Sequence, residues 1–200
     1  MSSLELETSR SDVISRFVSQ LAIVGAQPHG PLSASSAREV LTTLVEQADP
    51  GPIALWAADD LGIAGVSEAL APLGRQIVEV NSEGVGSRGE HLAQMDRAVV
   101  GITGALAGLA DTGTVVLASG SGAARVSWLL PPVHIAVLNC RSVYPSMAAF
   151  FEAHASTVAQ SSHVAFVTGP SRTADIELTL TRGVHGPVEV HVVLIEEAMR

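Results

Sequence analysis

Residues 99–120 read VVGITGALAGLADTGTVVLASG, and the structure assigned to this stretch decides the fold. Its length and hydropathy would suit a membrane-spanning helix, but Asp111 and five glycines interrupt it. The segment ADTGT within it has the composition of a turn. We therefore interpret the stretch as two short strands, Val99 to Thr103 and Thr114 to Ala118, joined by a loop, and we expect no membrane span.

Further short apolar runs follow along the chain: Ile53 to Ala57, Ile77 to Val80, His134 to Leu138 and Val164 to Thr168. Segments of helical length lie between them, around Ser67 to Leu73, Glu90 to Arg97 and Met147 to His154. This alternation is typical of βαβ units, and runs without polar alternation are typical of strands buried in a parallel sheet. The last run, Val188 to Ile195, does alternate, which favours an edge or antiparallel strand. The predicted fold is α/β, an open, mostly parallel sheet with helices on both faces.

Two amphipathic helices precede this pattern. Ser9 and Asp12 mark the start of the first, and its apolar residues recur at helical spacing: Val13, Ile14, Phe17, Val18 and Leu21. Gly25 is expected to end it, and the loop GAQPHGPLS follows. Ser36-Ala37-Arg38-Glu39 has the pattern of a capping box that opens the second helix. We predict a single domain over 1–200, with 1–50 as an N-terminal helical attachment and 52–195 as the α/β core.

Composition excludes several classes of function. The formal net charge is −9, and all basic character comes from eleven scattered Arg because the chain contains no Lys. A nucleic-acid partner, a Schiff-base mechanism and a Walker A phosphate site are therefore not expected. Cys140 is the only cysteine, so the chain alone can build neither a disulfide nor an all-cysteine metal or iron–sulfur site, and its seven His lack the spacing of a zinc motif. The polar, acidic N-terminus lacks the pattern of an export signal, and a cytoplasmic location is expected.

Ligands of open α/β sheets collect beyond the carboxyl ends of the strands, so the loops there are the candidate sites. The loop Asn81 to Glu90, with Arg88, is either a surface connection or a mobile flap over a ligand. Thr103-Gly104 and Asp111-Thr112-Gly113 can form an anion-binding nest of backbone N–H groups, although an Asp followed by Thr and Gly is equally often a turn that bonds its own backbone. Both alternatives stay open.

Two later loops are further candidates for anion binding. Ser119-Gly120-Ser121-Gly122 follows a strand and could present free N–H groups at a helix start. Ser171 is expected to cap a helix beginning with Arg172, Thr173, Ala174 and Asp175, where Arg172 could bind a carboxylate or phosphate through two N–H groups. The alternative is a cap with a surface ion pair. His185 is either an acid or base or a hydrogen-bonded turn residue. No catalytic residue and no metal site can be assigned.

Three segments resemble the lactate utilization protein C family, which is built on the LUD domain: VVGITGALAGLADTGTVVLASG, LLPPVHIAVLN and GPSRTADIELTLTRGVHGPVEVHVVLI. The resemblance runs from Val99 to Ile195, and the combination GPSRTADIE with GVHGP is its most specific part. It implies a fold like that of ribose-5-phosphate isomerase, glucosamine-6-phosphate deaminase and the CoA transferases. It also implies a role in bacterial, NAD-independent L-lactate oxidation beside partner proteins that carry the iron–sulfur clusters, with no cofactor in this chain.

Three functions remain open at this point. The first is a non-cluster subunit of a lactate-oxidising assembly with an anion-binding pocket. The second is a stand-alone enzyme acting on a phosphorylated or CoA-linked metabolite, and the third is a regulatory scaffold. The fold relatives that act on phosphosugars commonly need a Lys, which this chain lacks, and the CoA transferases use a Glu nucleophile where the nearest loop here offers Asp111, so their activities do not transfer with the fold.

Overall fold

The computed structural model of the protein describes residues 3–79, 93–119, 125–174, 180–182 and 185–196. Six parallel strands form its larger sheet: β1 (Gln27–Leu32), β2 (Ile53–Leu55), β3 (Ile77–Glu79), β4 (Val100–Gly104), β7 (Val133–Asn139) and β12 (Glu189–Ile195). Their order across the sheet is β1-β12-β7-β4-β2-β3. The prediction of an open, mostly parallel α/β sheet is confirmed.

Helices connect and cover these strands: α1 (Ser3–Ile23), α2 (Ala34–Gln47), α3 (Ala58–Leu61), α4 (Val66–Leu70), α5 (Val126–Leu129) and α6 (Met147–Gln160). Short 3-10 turns cover Ala71–Leu73 and Cys140–Ser142. The helix predicted around Ser67 to Leu73 is α4 with its following 3-10 turn. The one predicted from Met147 is α6, which continues to Gln160 through a non-helical residue at His154. Of the helix predicted from Glu90 to Arg97, residues 93–95 are helical and 90–92 lie outside the described residues.

Helices α2 and α5 cover opposite faces of the parallel sheet. A Cβ atom on Gly101 would lie 1.8 Å from the carbonyl oxygen of Ser127, so α5 packs directly against the face that carries Gly101. His134 is aligned with both Gly101 and Val190 and lies on that face. His191 follows Val190 and therefore faces the other side, because successive residues of a strand alternate. Leu44 of α2 lines a cavity together with His191, so α2 lies on that second face.

A second, four-stranded sheet differs from the prediction. It contains β5 (Ala107–Leu109), β6 (Thr114–Ser119), β8 (Val143–Tyr144) and β9 (His163–Val167), in the order β8-β5-β6-β9. We expected the runs that became β6 and β9 to join the parallel sheet, but β6 pairs antiparallel with both β5 and β9. Residues 110–113 explain the β5–β6 pair, since four residues can close a hairpin but cannot make a parallel crossover.

The last strand and the first loop were also assigned wrongly. Strand β12 is neither an edge nor an antiparallel strand, because it pairs in parallel with β7 on one side and β1 on the other. Strand β1 is formed by residues that we expected to be a loop. Its Pro28 and Pro31 lack an N–H group, and they are tolerated because β1 lies at the edge of the sheet.

The two N-terminal helices begin earlier than their sequence signals suggested. Helix α1 starts at Ser3, so Ser9 lies inside it, and it ends before Gly25, whose φ of +86° suits glycine. The cap of α2 is Ser33, whose hydroxyl accepts a 3.2 Å hydrogen bond from the backbone N–H of Ser36. The prediction of a capping box at Ser36 is therefore wrong, because the helix begins about one turn earlier.

The core joins the N-terminal helices to the parallel sheet. One cluster of buried apolar side chains includes Phe17 and Leu21 of α1, Leu41 of α2 and Ile135 of β7. A Cβ atom on Gly108 would lie 2.7 Å from the ring of Phe17, which shows how closely α1 approaches the second sheet. Residues before 50 thus share the core of residues after 52, and the division into attachment and core stays a prediction.

Residues 99–120 contain β4, β5 and β6. Their interpretation as strand, loop and strand is confirmed, with β5 as an additional short strand inside the expected loop. Within the part of the chain that the structure describes, no helix has both the length and the apolar character needed to cross a membrane.

Candidate functional site

A cavity of about 520 Å³ lies where the carboxyl ends of β1 and β12 approach α1. We call it the carboxyl-edge cavity. Arg10, Ser11 and Ser15 of α1 supply polar groups to its wall, and Glu196 follows β12 at its rim. Nη2 of Arg10 donates a 3.1 Å hydrogen bond to the carbonyl oxygen of Cys140, directly after β7. This bond uses one of the five N–H groups of the guanidinium, whose planar arrangement suits carboxylates.

The thiol of Cys140 lies beside this cavity but is not a nucleophile. Burial and the negative charge of Glu196 raise its pKa to about 11, and the positive charge of Arg10 opposes only part of this shift. The residue stays protonated at neutral pH, whereas nucleophilic cysteines depend on the thiolate. The interpretation of Cys140 as a buried strand-end residue is confirmed.

Thr103 and Gly104 do not form an open nest. Thr103 is fully buried, and its Oγ1 lies 2.9 Å from Nε2 of His134. Burial, with a smaller effect from His191, lowers the pKa of His134 to about 3, so the imidazole is neutral. A Cβ atom on Gly104 would lie 1.8 Å from the carbonyl oxygen of Asp60. The strand end is filled by protein atoms on the side of this glycine.

Asp111, Thr112 and Gly113 make the turn between β5 and β6. The hydroxyl of Thr112 donates to Oδ1 of Asp111 at 3.3 Å and lies 2.8 Å from the hydroxyl of Thr114. Gly113 has a φ of +65°, and a Cβ there would lie 2.6 Å from the backbone of Gln20 in α1. These contacts favour the turn-forming interpretation of Asp111.

Ser119 lies at the other end of β6 from that turn. Five strand residues at about 3.3 Å each separate it from Thr114 by roughly 17 Å. It is buried, and its hydroxyl donates to the carbonyl of His163 and lies 3.3 Å from the hydroxyl of Ser162. Gly120, Ser121 and Gly122, like the loop Asn81 to Glu90, lie outside the described residues.

The helix predicted at Arg172 is wrong. Residues Arg172–Ala174 form strand β10, which pairs antiparallel with β11 (Leu180–Arg182). Thr173 is thus aligned with Thr181 in a hairpin, so residues 172–174 are extended and no helix starts there. Ser171 donates its backbone N–H to Pro187 at 2.9 Å and caps no helix.

The Arg172 guanidinium lies at the end of α1. Its Nη2 donates a 2.9 Å hydrogen bond to the carbonyl oxygen of Val24, and a Cβ on Gly25 would lie 2.6 Å from the same nitrogen. A cation at a helix C-terminus complements the dipole and satisfies a terminal carbonyl. Asp175 lies outside the described residues, and His185 is exposed.

The described candidates therefore fall into separate places. The Asp111 turn and the segment from Gly169 to Arg172 both pack against the C-terminal end of α1. Thr103 and Gly104 lie in the parallel sheet, and Ser119 lies at the far end of β6. Anion binding by these residues stays a prediction. The structure does not bring the described residues of this set together in one pocket.

Sequence reasoning missed a histidine pair at the opposite, amino edge of the parallel sheet. Nε2 of His29 lies 3.1 Å from Nδ1 of His191, and the rings stack with centroids 5.3 Å apart. Nε2 of His191 lies 3.5 Å from a carboxylate oxygen of Glu189. The alternation of Glu189 and His191 on one strand was visible in the sequence, but His29 could join them only once β1 was known to pair with β12.

No group of three or more His, Cys, Asp or Glu side chains within the described residues is arranged to hold a metal ion. The model of the LUD domain matches residues 14–195, which is nearly the whole chain. The chain belongs to the LUD domain family. This confirms the resemblance inferred from the three sequence segments and extends it through the N-terminal helices.

Relatives of this LUD domain carry the name lactate utilization protein C. The chain is 40% identical to the one from Halalkalibacterium halodurans over 116 residues, which are 56% of this chain and 50% of the relative. It is 30% identical to the one from a Geobacillus species over 168 residues, 80% of this chain and 68% of the relative. It is 37% identical to the one from Bacillus subtilis over 112 residues, 54% and 47% of the two chains. The match to the first of these relatives thus spans about half of its length.

A solved structure has the same fold. The crystal structure of a DUF162 family protein from Deinococcus radiodurans superimposes on this LUD domain with a TM-score of 0.65, covering 93% of this chain and 98% of the other. The two sequences are 19% identical, so the likeness concerns the fold alone.

Proposed function

We propose that this LUD-domain protein is the subunit without iron–sulfur clusters in a bacterial system that oxidises L-lactate independently of NAD. The observation that carries the proposal is the 30% identity to a lactate utilization protein C over 80% of this chain. The whole activity belongs to the assembly, and this chain contributes the LUD domain.

The cysteine content supports this division of labour. Iron–sulfur clusters are typically held by several cysteine thiolates, and this chain has one cysteine, which is buried and protonated. The electron-transfer centres therefore belong to partner proteins. Co-purification of the tagged protein from native cells should recover proteins with iron–sulfur absorbance. Recovery of the protein alone, under conditions that preserve such clusters, would count against the assembly.

We place the small anionic ligand of this function in the carboxyl-edge cavity. The cavity lies at the sheet edge where open α/β folds bind ligands. Arg10 supplies the positive charge, which must balance the Glu196 carboxylate as well as the ligand, and the hydroxyls of Ser11 and Ser15 supply further donors for a hydroxy-carboxylate. Arg172 is the weaker candidate, because its guanidinium already binds the carbonyl of Val24.

A matched pair of variants tests that placement. Thermal shift of the purified protein with L-lactate should decrease in Arg10→Ala and persist in Arg172→Ala, since both variants lose one guanidinium that binds one backbone carbonyl. The opposite result would return the site to Arg172. If L-lactate causes no thermal shift in the wild-type protein, the proposed anion pocket is wrong, and the growth of the deletion strain then tests the subunit role.

Growth of a deletion strain tests the function itself. Loss of the gene should slow or abolish growth on L-lactate as sole carbon source, while growth on pyruvate, the product of lactate oxidation, should be unchanged. A plasmid copy should restore growth on lactate. Undiminished growth of the deletion strain on L-lactate would refute the proposed function.

The stand-alone enzyme acting on a phosphorylated or CoA-linked metabolite is the second candidate. It rests on the fold, which hosts many unrelated activities. Among the described residues, the one cysteine is protonated and Asp111 is engaged in its own turn, so neither supports a nucleophile for that chemistry. The lactate role is therefore the better supported of the two.

A further inference from the structure

A second cavity, of about 420 Å³, lies at the amino edge of the parallel sheet, away from the ends of the strands that border the carboxyl-edge cavity. We call it the amino-edge cavity. The first residues of β1, β12 and β7 form one side, and the C-terminal end of α2 forms the other. Its volume falls within the range of about 300–1,000 Å³ typical of small-molecule sites.

The polar wall of this cavity is an ordered chain of three side chains, Glu189, His191 and His29. The Glu189 carboxylate can only accept, so Nε2 of His191, 3.5 Å away, donates toward it. In the neutral ring Nδ1 of His191 must then accept, and it accepts from Nε2 of His29 at 3.1 Å. Nδ1 of His29 is left as a hydrogen-bond acceptor at the end of the chain.

The charges around the cavity are negative. Burial lowers the pKa of both histidines. The neighbouring His191 lowers the pKa of His29 further, whereas Glu189 opposes part of the shift at His191, so both rings favour the neutral form at neutral pH. Glu189 and Asp49 supply two carboxylates, and no Arg is among the described residues that line the cavity. Arg75 is near but donates to the carbonyl oxygens of Ala48 and Asp49.

The remaining wall contains the amides of Gln27 and Gln47 together with apolar residues. Leu44 of α2 and the side chains of Val99, Val133 and Val188 line it, and Val188 is 39% exposed. An apolar wall opposite fixed acceptors suits a ligand with an apolar body and a donating end. The acceptors and the two carboxylates disfavour an anion such as a hydroxy-carboxylate, because no cation lines the wall to balance it.

We propose that the amino-edge cavity is a binding site for a small organic ammonium ion with an apolar body, which donates a hydrogen bond to Nδ1 of His29 and is attracted by the negative charges of Glu189 and Asp49 in the cavity wall. This site is separate from the proposed anion site, and its ligand has the opposite charge. His191 acts as a positioning residue that holds His29 in its accepting tautomer.

Two probes of similar shape and opposite charge test the proposal in the full-length protein. Benzylammonium should shift the imidazole proton resonances of His29 and His191 saturably in NMR spectra at neutral pH, whereas benzoate and L-lactate should leave them unchanged. Equal shifts with benzoate, or shifts with L-lactate, would overturn the proposal, as would the absence of any shift with benzylammonium. Growth on lactate reports separately on the proposed function.

Variants sharpen the test. Glu189→Gln keeps the shape of the wall and removes one charge, and it should weaken benzylammonium binding about two- to fivefold, the effect expected for a partly exposed ion pair. His29→Phe keeps the ring and removes the acceptor, and it should weaken binding as seen by the His191 resonance. His163→Gln, in an exposed histidine of β9 that does not line the cavity, should leave binding unchanged. Unaltered affinity in both Glu189→Gln and His29→Phe would show that benzylammonium binds elsewhere.

Discussion

Thr103 and His134 form a buried polar pair across neighbouring strands, with Oγ1 of Thr103 2.9 Å from Nε2 of His134. Both residues are at most 1% exposed. Nδ1 of the same imidazole has no hydrogen-bond partner within the part of the chain that the structure describes. The Thr103 hydroxyl is thus the hydrogen-bond partner of Nε2 in the buried His134 ring.

Replacing Thr103 with Val should lower the free energy of unfolding by about 1–3 kcal/mol, because a buried imidazole nitrogen loses its partner. Urea denaturation followed by tryptophan fluorescence measures the change. Thr43→Val is the matched control, since the exposed Thr43 hydroxyl donates only to the Glu39 carbonyl of its own helix, and it should cost less than about 0.5 kcal/mol. Equal losses in the two variants would show that the buried contact contributes nothing specific.

Stability should fall as the pH is lowered below neutrality. The pKa of His134 is about 3 in the folded protein against 6.5 for an unperturbed histidine, so the unfolded chain binds more protons between these values. Within this window, lowering the pH by one unit reduces the free energy of unfolding by about 1.4 kcal/mol through His134. The pKa values of His29 and His191 are also lowered, so these two residues add to the loss with the same sign.

Urea denaturation between neutral pH and about pH 5 checks this dependence. His134→Gln removes one titrating group and should make the curve of stability against pH flatter, whatever its effect at neutral pH. A variant curve that runs parallel to the wild-type curve would mean that His134 is not the source of the dependence.

Gly101→Ala should destabilise the protein through a steric clash. The new Cβ would lie 1.8 Å from the carbonyl oxygen of Ser127, so α5 must move away from the sheet, at a cost of at least about 2 kcal/mol. Gly62→Ala is the control. Its Cβ meets no atom within 4 Å, and its φ of +70° leaves only the strain of a left-handed alanine, about 1 kcal/mol. Thermal unfolding ranks the two, and a larger loss for Gly62→Ala would contradict the close packing of α5.

Cys140 should react slowly with iodoacetamide while the protein is folded. Its pKa is raised from 9.0 to about 11, so the thiolate fraction is about 100-fold lower than that of an unperturbed thiol. Mass spectrometry of the alkylated protein gives the rate, and the same reaction in urea supplies the unperturbed value. Similar rates in the folded and unfolded protein would mean that the thiol is accessible and ionises normally.

Local sequence was a good guide to the elements and a poor guide to their partners. The runs that became β4, β6, β7 and β9 were recognisable because each is a short apolar segment bounded by turn residues. The sheet that each one joins was not visible, because pairing depends on distant contacts. Arg172 shows the same limit, since a Ser before a run of helix-compatible residues suggests a cap, yet the hairpin with β11 places the guanidinium on Val24, 148 positions away.

Apolar spacing and turn chemistry were sufficient to predict an α/β chain with a parallel sheet, because these patterns reside in neighbouring residues. The lone Cys and the absence of Lys were visible in the composition, which does not depend on the fold. The grouping of side chains into the two cavities emerged only from the folded chain. His29 and His191 are 162 positions apart, and they meet because β1 pairs with β12. Such pairing is set by the packing of the whole core, which no local stretch of the chain encodes.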